Sequence, residues 1–445
     1  MANITGWIRY QRRDRLARQI ISTYKHHSGL KIDVLPRLGF HQNYAFLVLP
    51  FGSINSSFVS GNGESIKQNL GTMNLLADII FNSIDDDSIA SQLTKIGVSS
   101  DLKVSHDSVV FEISTADYLQ EAIKIIISGL INLEITEAKI IASKNRVLNY
   151  LSSLERDSEF YMRRTLRQCV FSKSEYYNSP EGTRESVSNI SLEDLQICYD
   201  NIFNISNVFL ELLGDINDEE IVESLSTVLQ SSKLKQHNKY LDLVEDYSNF
   251  GVVKREAEII WQNPSPGFAL AYNFDAKNNA QRLIGKENVQ LYYEAKILLE
   301  MCIGASSDAF DEFLQSGLLG EALYYDFNIS REYALIEIYG KSLNPEATVK
   351  LISQKLETFI SDKDSFSNDI FESRWKAIFG QFVQNLDSLH LAGEQASRAR
   401  LNYIEFADYS TIFNEIRLES DKILDKFSFV KEDNRAIVIS SSIAN

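Results

Sequence analysis

The sequence predicts an α+β fold in two homologous domains, each a mostly antiparallel sheet with helices packed on one face. Three observations carry this. Period-two apolar runs alternate with segments whose apolar residues recur three and four apart. Several strand pairs are joined by short turns rather than helical crossovers. One order of elements (strand, helix, helix, hairpin, two long helices, closing strand) occurs twice in the 445 residues.

In the first half, Leu30, Ile32 and Val34 alternate with Lys31 and Asp33 as a strand. Pro36 and Gly39 end it, and Tyr44–Leu49 reads as a buried strand closed by Pro50 and Gly52. A polar loop is expected over 53–69, with Gly61-Asn62-Gly63 as a turn. Gly71–Phe81 has helical spacing with Thr72 placed to cap it, and Ser88–Lys95 continues helical to Gly97. Ser99–Ser105 and Ser108–Ser114 read as a hairpin turning at His106-Asp107. Ala116–Ile131 and Thr136–Ser153 are amphipathic helices. A polar loop is expected over 172–185. Ser191 then caps a further helix, with Asp194 at the capping-box position in place of the usual Glu or Gln. Phe209–Leu213 is a strand.

Residues 231–249 are polar and without periodicity, and a linker is expected there, dividing the chain into domains 1–230 and 250–445. The order then restarts. Gly267–Phe274 is a strand, and Val289–Gly304 and Ser307–Ser316 are helices, the second ended by Gly317. Tyr324–Asn328 and Tyr333–Tyr339 pair as strands, Ala347–Ile360 and Ser367–Leu386 are long helices, and Phe427–Val430 and Arg435–Ser440 have strand character.

Composition narrows the function classes. With 44 Lys+Arg against 61 Asp+Glu the net charge is −17, which opposes binding to nucleic acid or an anionic membrane. No apolar run approaches the roughly 18–20 residues of a membrane span. Arg9, Arg12, Arg13, Arg15 and Arg18 cluster as in a transit peptide, but Asp14 interrupts them and no cleavage site follows, so no targeting peptide is expected. Cys169, Cys198 and Cys302 lie far apart and read as reduced thiols, consistent with a cytoplasmic setting. Of the histidines (His26, His27, His41, His106, His237 and His390) no two are four apart, so none reads as a metal pair. The run Asp85-Asp86-Asp87 reads as a solvated loop.

At G-T-M-N-L-L-A-D-I-I-F (71–81) the sequence resembles the zinc-helix block of the insulinase/pitrilysin family, which includes the mitochondrial processing peptidases. Four further blocks follow the family's order. G-F-H-Q-N-Y-A-F-L-V-L-P-F-G-S-I-N-S-S-F (39–58) is similar to its first core strand, and I-G-V-S-S-D-L-K-V-S-H-D-S-V-V-F-E-I-S-T (96–115) to its hairpin. Y-Y-N-S-P-E-G-T-R-E-S-V-S-N-I-S-L-E-D-L (176–195) and G-A-S-S-D-A-F-D-E-F-L-Q-S-G-L (304–318) resemble two later blocks. The resemblance runs from about residue 29 to 440 and best fits the short bacterial branch. It implies a half-clamshell of two domains.

The chemistry the resemblance would imply is absent. The family carries H-x-x-E-H, two imidazoles on one helix face with a general base between them, and a further Glu ligand on a later helix. Here the positions read Asn74, Ala77 and Asp78, and the distal ligand falls at Asn149 or Tyr150, with Glu155 five residues on. Ala77 takes no proton, and Asn74 and Asp78 offer no imidazole nitrogen. The family's substrate-holding Arg and Tyr would correspond to Gln315 and to Tyr324 or Tyr325. The expectation is therefore a chain with no catalytic residue, no metal and no cofactor of its own. It would be the non-catalytic subunit of a two-chain zinc peptidase, with zinc in a homologous partner and a peptide as substrate, a small ribosomally made peptide being one candidate. Each domain would leave the inner face of its sheet partly exposed. Two alternatives stand beside this: a metal-free homodimeric peptide-binding module, and a peptidase with a rearranged site around Asp78 and Glu155.

Overall fold

The structure is a computed structural model. It describes residues 5–16, 18–55, 57–59, 63–83, 87–172, 174–231, 251–261, 266–274, 284–319, 323–330 and 333–442. Most of the expected linker, His237, Asp85-Asp86 and Gly61-Asn62 lie outside these residues.

The strands and helices follow in chain order as β1 (Trp7–Asp14), β2 (Gln19–His26), β3 (Lys31–Pro36), β4 (Asn43–Leu49), β5 (Ser57–Val59), β6 (Ser65–Lys67), α1 (Thr72–Asn82), α2 (Ile89–Lys95), β7 (Ser99–Val104) and β8 (Val109–Thr115). Then come α3 (Leu119–Ile131), α4 (Glu137–Leu154), α5 (Ser158–Val170), α6 (Ser174–Tyr177), α7 (Arg184–Asn189), α8 (Leu192–Asn201), β9 (Phe209–Gly214) and α9 (Asp218–Ser231). The second half holds β10 (Glu256–Trp261), β11 (Gly267–Phe274), α10 (Lys286–Cys302), α11 (Asp308–Ser316), β12 (Tyr324–Ile329), β13 (Ala334–Lys341), α12 (Pro345–Ser361) and α13 (Asn368–Asn385). It ends with α14 (Leu389–Leu401), α15 (Tyr409–Leu418), α16 (Ile423–Lys426) and β14 (Arg435–Ser442).

The α+β class holds, and the duplication is visible in the topology. The first sheet runs β1-β2-β3-β9-β4-β8-β7 and the second β10-β14-β11-β13-β12. Five neighbouring strands match in order and sense: β3 pairs parallel with β9 as β10 does with β14, and every later pair is antiparallel. The first sheet adds β2 and β1 beyond this core, where the sequence reading saw only an arginine cluster.

Several elements differ from expectation. The loop over 53–69 contains the small hairpin β5–β6. Thr72 does not cap α1. Gly71 takes the cap position at φ 86°, and the Thr72 hydroxyl donates to the Asn69 carbonyl at 2.8 Å. Phe427–Val430 is not a strand but the turn that follows α16. The Ser191 capping box is present, Ser191 N–H donating to Asp194 at 2.8 Å and Asp194 N–H to the Ser191 hydroxyl at 3.1 Å.

The compact units do not follow a single cut. One comprises residues 1–151, 178–245 and 383–408, the other 152–177, 246–382 and 409–445. In the first, the face of the sheet carrying Ile32, Val34, Leu47, Phe111, Leu210 and Leu212 forms the apolar core with the unit's own helices, each of these at most 2% exposed. Burying each such side chain contributes on the order of 1.5–3 kcal/mol. The opposite face is covered too, by α14 from the second half of the sequence, which packs on β4 and β9. The second unit repeats this with α5, from the first half, on β10, β11 and β14. The expected exposed inner faces are thus closed by exchanged helices.

Candidate functional site

Helix α1 sits where a loop can reach its first turn. Gly71 and Gly182 both have positive φ, at 86° and 85°. A Cβ on Gly71 would overlap the Glu181 carbonyl oxygen, and one on Gly182 would stand 2.6 Å from that of Leu70. Only glycine supplies the conformation and the clearance, so the loop before α7 docks on the N-terminus of α1.

Of the motif positions on α1, Asn74 and Asp78 emerge onto one half-buried face while Ala77 is fully buried in the core. Residues four apart share a face, so the helix keeps the geometry of a two-ligand site. The chemistry on that face is different. Asp78 Oδ2 accepts from Arg146 Nη2 at 2.7 Å and Nε at 3.1 Å, and also from the Ser143 hydroxyl. Its Oδ1 accepts from Asn82 Nδ2 at 3.3 Å. Both carboxylate oxygens are engaged and a guanidinium already neutralises the charge. A cation arriving here would have to displace Arg146 from a charge-assisted pair.

The residues of α4 that meet Asp78 are Ser143 and Arg146. Tyr150 is half exposed, and burial together with the Glu181 carboxylate raises its phenol above the ordinary value. Burial also raises the Glu181 carboxyl. Glu155 packs with the other compact unit. Sequence reasoning missed Ser143, Arg146 and Glu181, since no spacing rule links an arginine on one helix to a degenerate ligand on another.

The His26 and His27 rings lie against each other with centroids 3.9 Å apart. Burial, with His27 adjacent, lowers His26 to about 4. His106 Nε2 lies 3.0 Å from the Asn178 carbonyl oxygen, and His390 Nδ1 lies 2.7 Å from Glu112. Among the described residues no group of three or more His, Cys, Asp or Glu could hold a metal ion.

The residues corresponding to the family's substrate-holding pair lie in the second unit. Gln315 is exposed on α11. Tyr324 and Tyr325 leave opposite faces of β12, as alternation requires. The Tyr324 ring stacks on Tyr339 with centroids 5.4 Å apart, whereas the Tyr325 hydroxyl donates to Glu300 at 2.7 Å.

One further feature could contact a chain. Strand β7 is the outer strand of the first sheet, exposed over most of its length, and α1 packs near it. Its unpaired backbone groups can extend the sheet by one strand. Strand β4 lies between β9 and β8, so Tyr44–Leu49 is not an edge. Among the described residues no helix is long and apolar enough to cross a membrane.

The comparisons with known proteins agree with this geometry. The profile of the peptidase M16 inactive domain matches residues 189–373. A Bacillus subtilis protein described as an uncharacterized zinc protease, YmfH, is 22% identical over 393 residues, 88% of this chain and 90% of its own length. A Helicobacter pylori protein described as a non-peptidase homolog, YmxG, is 26% identical over 192 residues, 41% of this chain and 43% of that one. The solved structure of an M16-like peptidase from Alicyclobacillus acidocaldarius superposes with a TM-score of 0.87 at 18% identity, over 98% of this chain and 99% of that one. The chain is thus similar to M16 peptidases over nearly its whole length, and it carries Asn74, Ala77 and Asp78 where the resembled insulinase/pitrilysin family has H-x-x-E-H.

Proposed function

We propose that this chain is the zinc-free subunit of a two-chain peptidase in the bacterial cytoplasm. It binds extended peptide and completes the chamber of a zinc-bearing homologue. The observation that carries this is the Asp78–Arg146 pair: the helix face that would present ligands to zinc is occupied by an internal ion pair. The exposed edge of β7 beside α1 supports a retained role in peptide binding, because strand addition uses backbone groups alone. The likeness to a non-peptidase homolog supports the loss of catalysis.

The test is co-expression with each zinc-bearing homologue of the same genome, followed by size-exclusion chromatography and a peptide-cleavage assay. A co-eluting pair that cleaves, against two inactive single chains, is the expected result. Asp78→Ala in this chain should leave the pair's activity nearly intact. About one zinc per isolated chain with chelator-sensitive cleavage, or a homodimer that binds peptide without any homologue, would overturn the proposal.

A further inference from the structure

The two sheets share a five-strand core, but helix α9 has no counterpart among the described residues of the second unit. After β9, helix α9 folds back and packs on α3, burying Ile221, Val222, Leu225 and Leu229. In the second sheet the matching strand is β14, and no helix follows it among the described residues. At the place corresponding to the seat of α9 there is instead an open groove of about 1280 Å³ between α12, β10 and β14.

The floor of this groove is still partly that of a helix seat. Ile437 and Ile439 of β14 line it and are only half-buried, whereas Leu210 and Leu212 of β9 are fully buried. The edge strand brings charge. Glu256 and Glu258 of β10 pair with Ile437 and Ile439 in the parallel register, so both carboxylates stand along the groove.

Charges also line its length, with Lys350 one turn after Glu346 on α12. Arg435 at the start of β14 is tied to Glu357 at 2.7 Å, which places Lys254 with the end of α12 at one end of the groove. Glu346, in the first turn of α12, lies at the other end with Glu258 and Ser441. A helix seated as α9 is seated runs antiparallel to the last strand. Its N-terminus, bearing about half a positive charge, would meet Glu258 and Glu346, and its C-terminus would meet Lys254.

We infer that this groove is the docking site for an amphipathic helix of a partner protein, one with an apolar stripe and a basic first half. Helix α9 of a second copy is not the occupant, because its first turn carries Asp218, Glu219 and Glu220. Those carboxylates would face Glu258 and Glu346. The site lies wholly in the second unit and stands whether or not the chain pairs with a peptidase.

The test uses the full chain and two fluorescein-labelled peptides copying residues 216–231, stapled on the polar face so that both enter as helices. One keeps the native residues; the other carries D218K, E219K and E220K. Anisotropy should show the lysine peptide binding about tenfold or more tighter, an effect that weakens with salt. Glu258 and Glu346 are exposed, so the double variant E258K/E346K should fold and should reverse the order of the two peptides. Equal or absent binding, or a preference the reversal leaves unchanged, would overturn the inference. Binding that appears only after deletion of residues 232–250 would make that segment the occupant and overturn it as well.

Discussion

The helix that covers the first sheet brings one arginine to two carboxylates; the helix that covers the second brings two arginines to one. On α14, Arg400 pairs with Asp33 of β3 and, at 3.1 Å, with Glu211 of β9. On α5, Arg163 and Arg167 reach Glu337 of β13 at 3.3 and 3.2 Å. All three acids are at most 3% exposed. The surplus is handled differently. In the first unit one guanidinium cannot neutralise two carboxylates, and burial raises Glu211 well above the ordinary carboxyl range. In the second, aromatic rings take the extra cation, Arg163 lying 4.7 Å from the Tyr339 ring centroid and Arg167 5.5 Å from that of Tyr333. The lesson for function is that neither sheet offers the face beneath its exchanged helix to a ligand. Under the proposed function, peptide contact would use an edge such as β7.

The sharpest way to break this comparison is to remove the hub of each lock. Arg400→Met leaves Asp33 and Glu211 buried without a cation and should destabilise the first unit by about 3–5 kcal/mol. In the second unit the hub is the acid. Glu337→Gln leaves the largely buried Arg167 without its carboxylate and should cost about 2–4 kcal/mol, less because the Tyr333 hydroxyl, 3.0 Å from Arg167 Nη2, remains. Urea denaturation of both variants checks the order. Equal losses, or a larger loss from Glu337→Gln, would mean that the aromatic partners do not share the cation.

Packing offers a second contrast. In the first unit the covering helix supplies the glycine: a Cβ on Gly393 of α14 would overlap the Phe46 ring. In the second the strand supplies it: a Cβ on Gly267 of β11 would meet the Gly340 carbonyl and Ser440 hydroxyl oxygens at 3.2 Å and Met162 Sδ at 3.7 Å. Gly393→Ala forces the helix off the sheet and should cost about 1–3 kcal/mol. Gly267→Ala needs only small shifts and should cost under about 1 kcal/mol. Thermal denaturation separates the two.

These same features explain what the sequence conceals. The strands β4, β8, β11 and β13 and the helix α1 were legible because their apolar residues meet an apolar core at the expected period. Helix α5 was not, because its sheet-facing residues include Arg163 and Arg167, so the stripe that marks an amphipathic helix is interrupted by charge. Strand β1 was read as an arginine cluster because it is an edge. Arg9 there is held by Asp218 and Glu219 at 3.2 and 2.8 Å, partners about 210 positions away that no local pattern reveals. At the candidate site, the sequence already shows Asn74, Ala77 and Asp78 at the positions of the resembled motif. What meets Asp78, Arg146 and Ser143, depends on how α4 lies against α1, which only the fold supplies.

A substitution that is nearly neutral at low pH tests the charge arithmetic most directly. Glu211 holds its proton in the folded protein at pH values where the unfolded chain has released it. The folded state then binds more protons, so stability is greatest below the ordinary carboxyl range and falls as pH rises through it toward the raised folded value. The slope is at most about 1.4 kcal/mol per pH unit for one proton. Glu211→Gln mimics the protonated acid and still accepts from Arg400 Nε, so at low pH it should match the native chain within about 0.5 kcal/mol. Toward pH 8 it should become the more stable of the two, because the native residue is then driven to ionise beside Asp33 with only one guanidinium between them. Urea midpoints measured from pH 5 to pH 8 decide the matter. A variant that loses stability as pH rises in parallel with the native chain would show that Glu211 is not the surplus carboxylate, and the contrast between the two locks would then rest on Asp33.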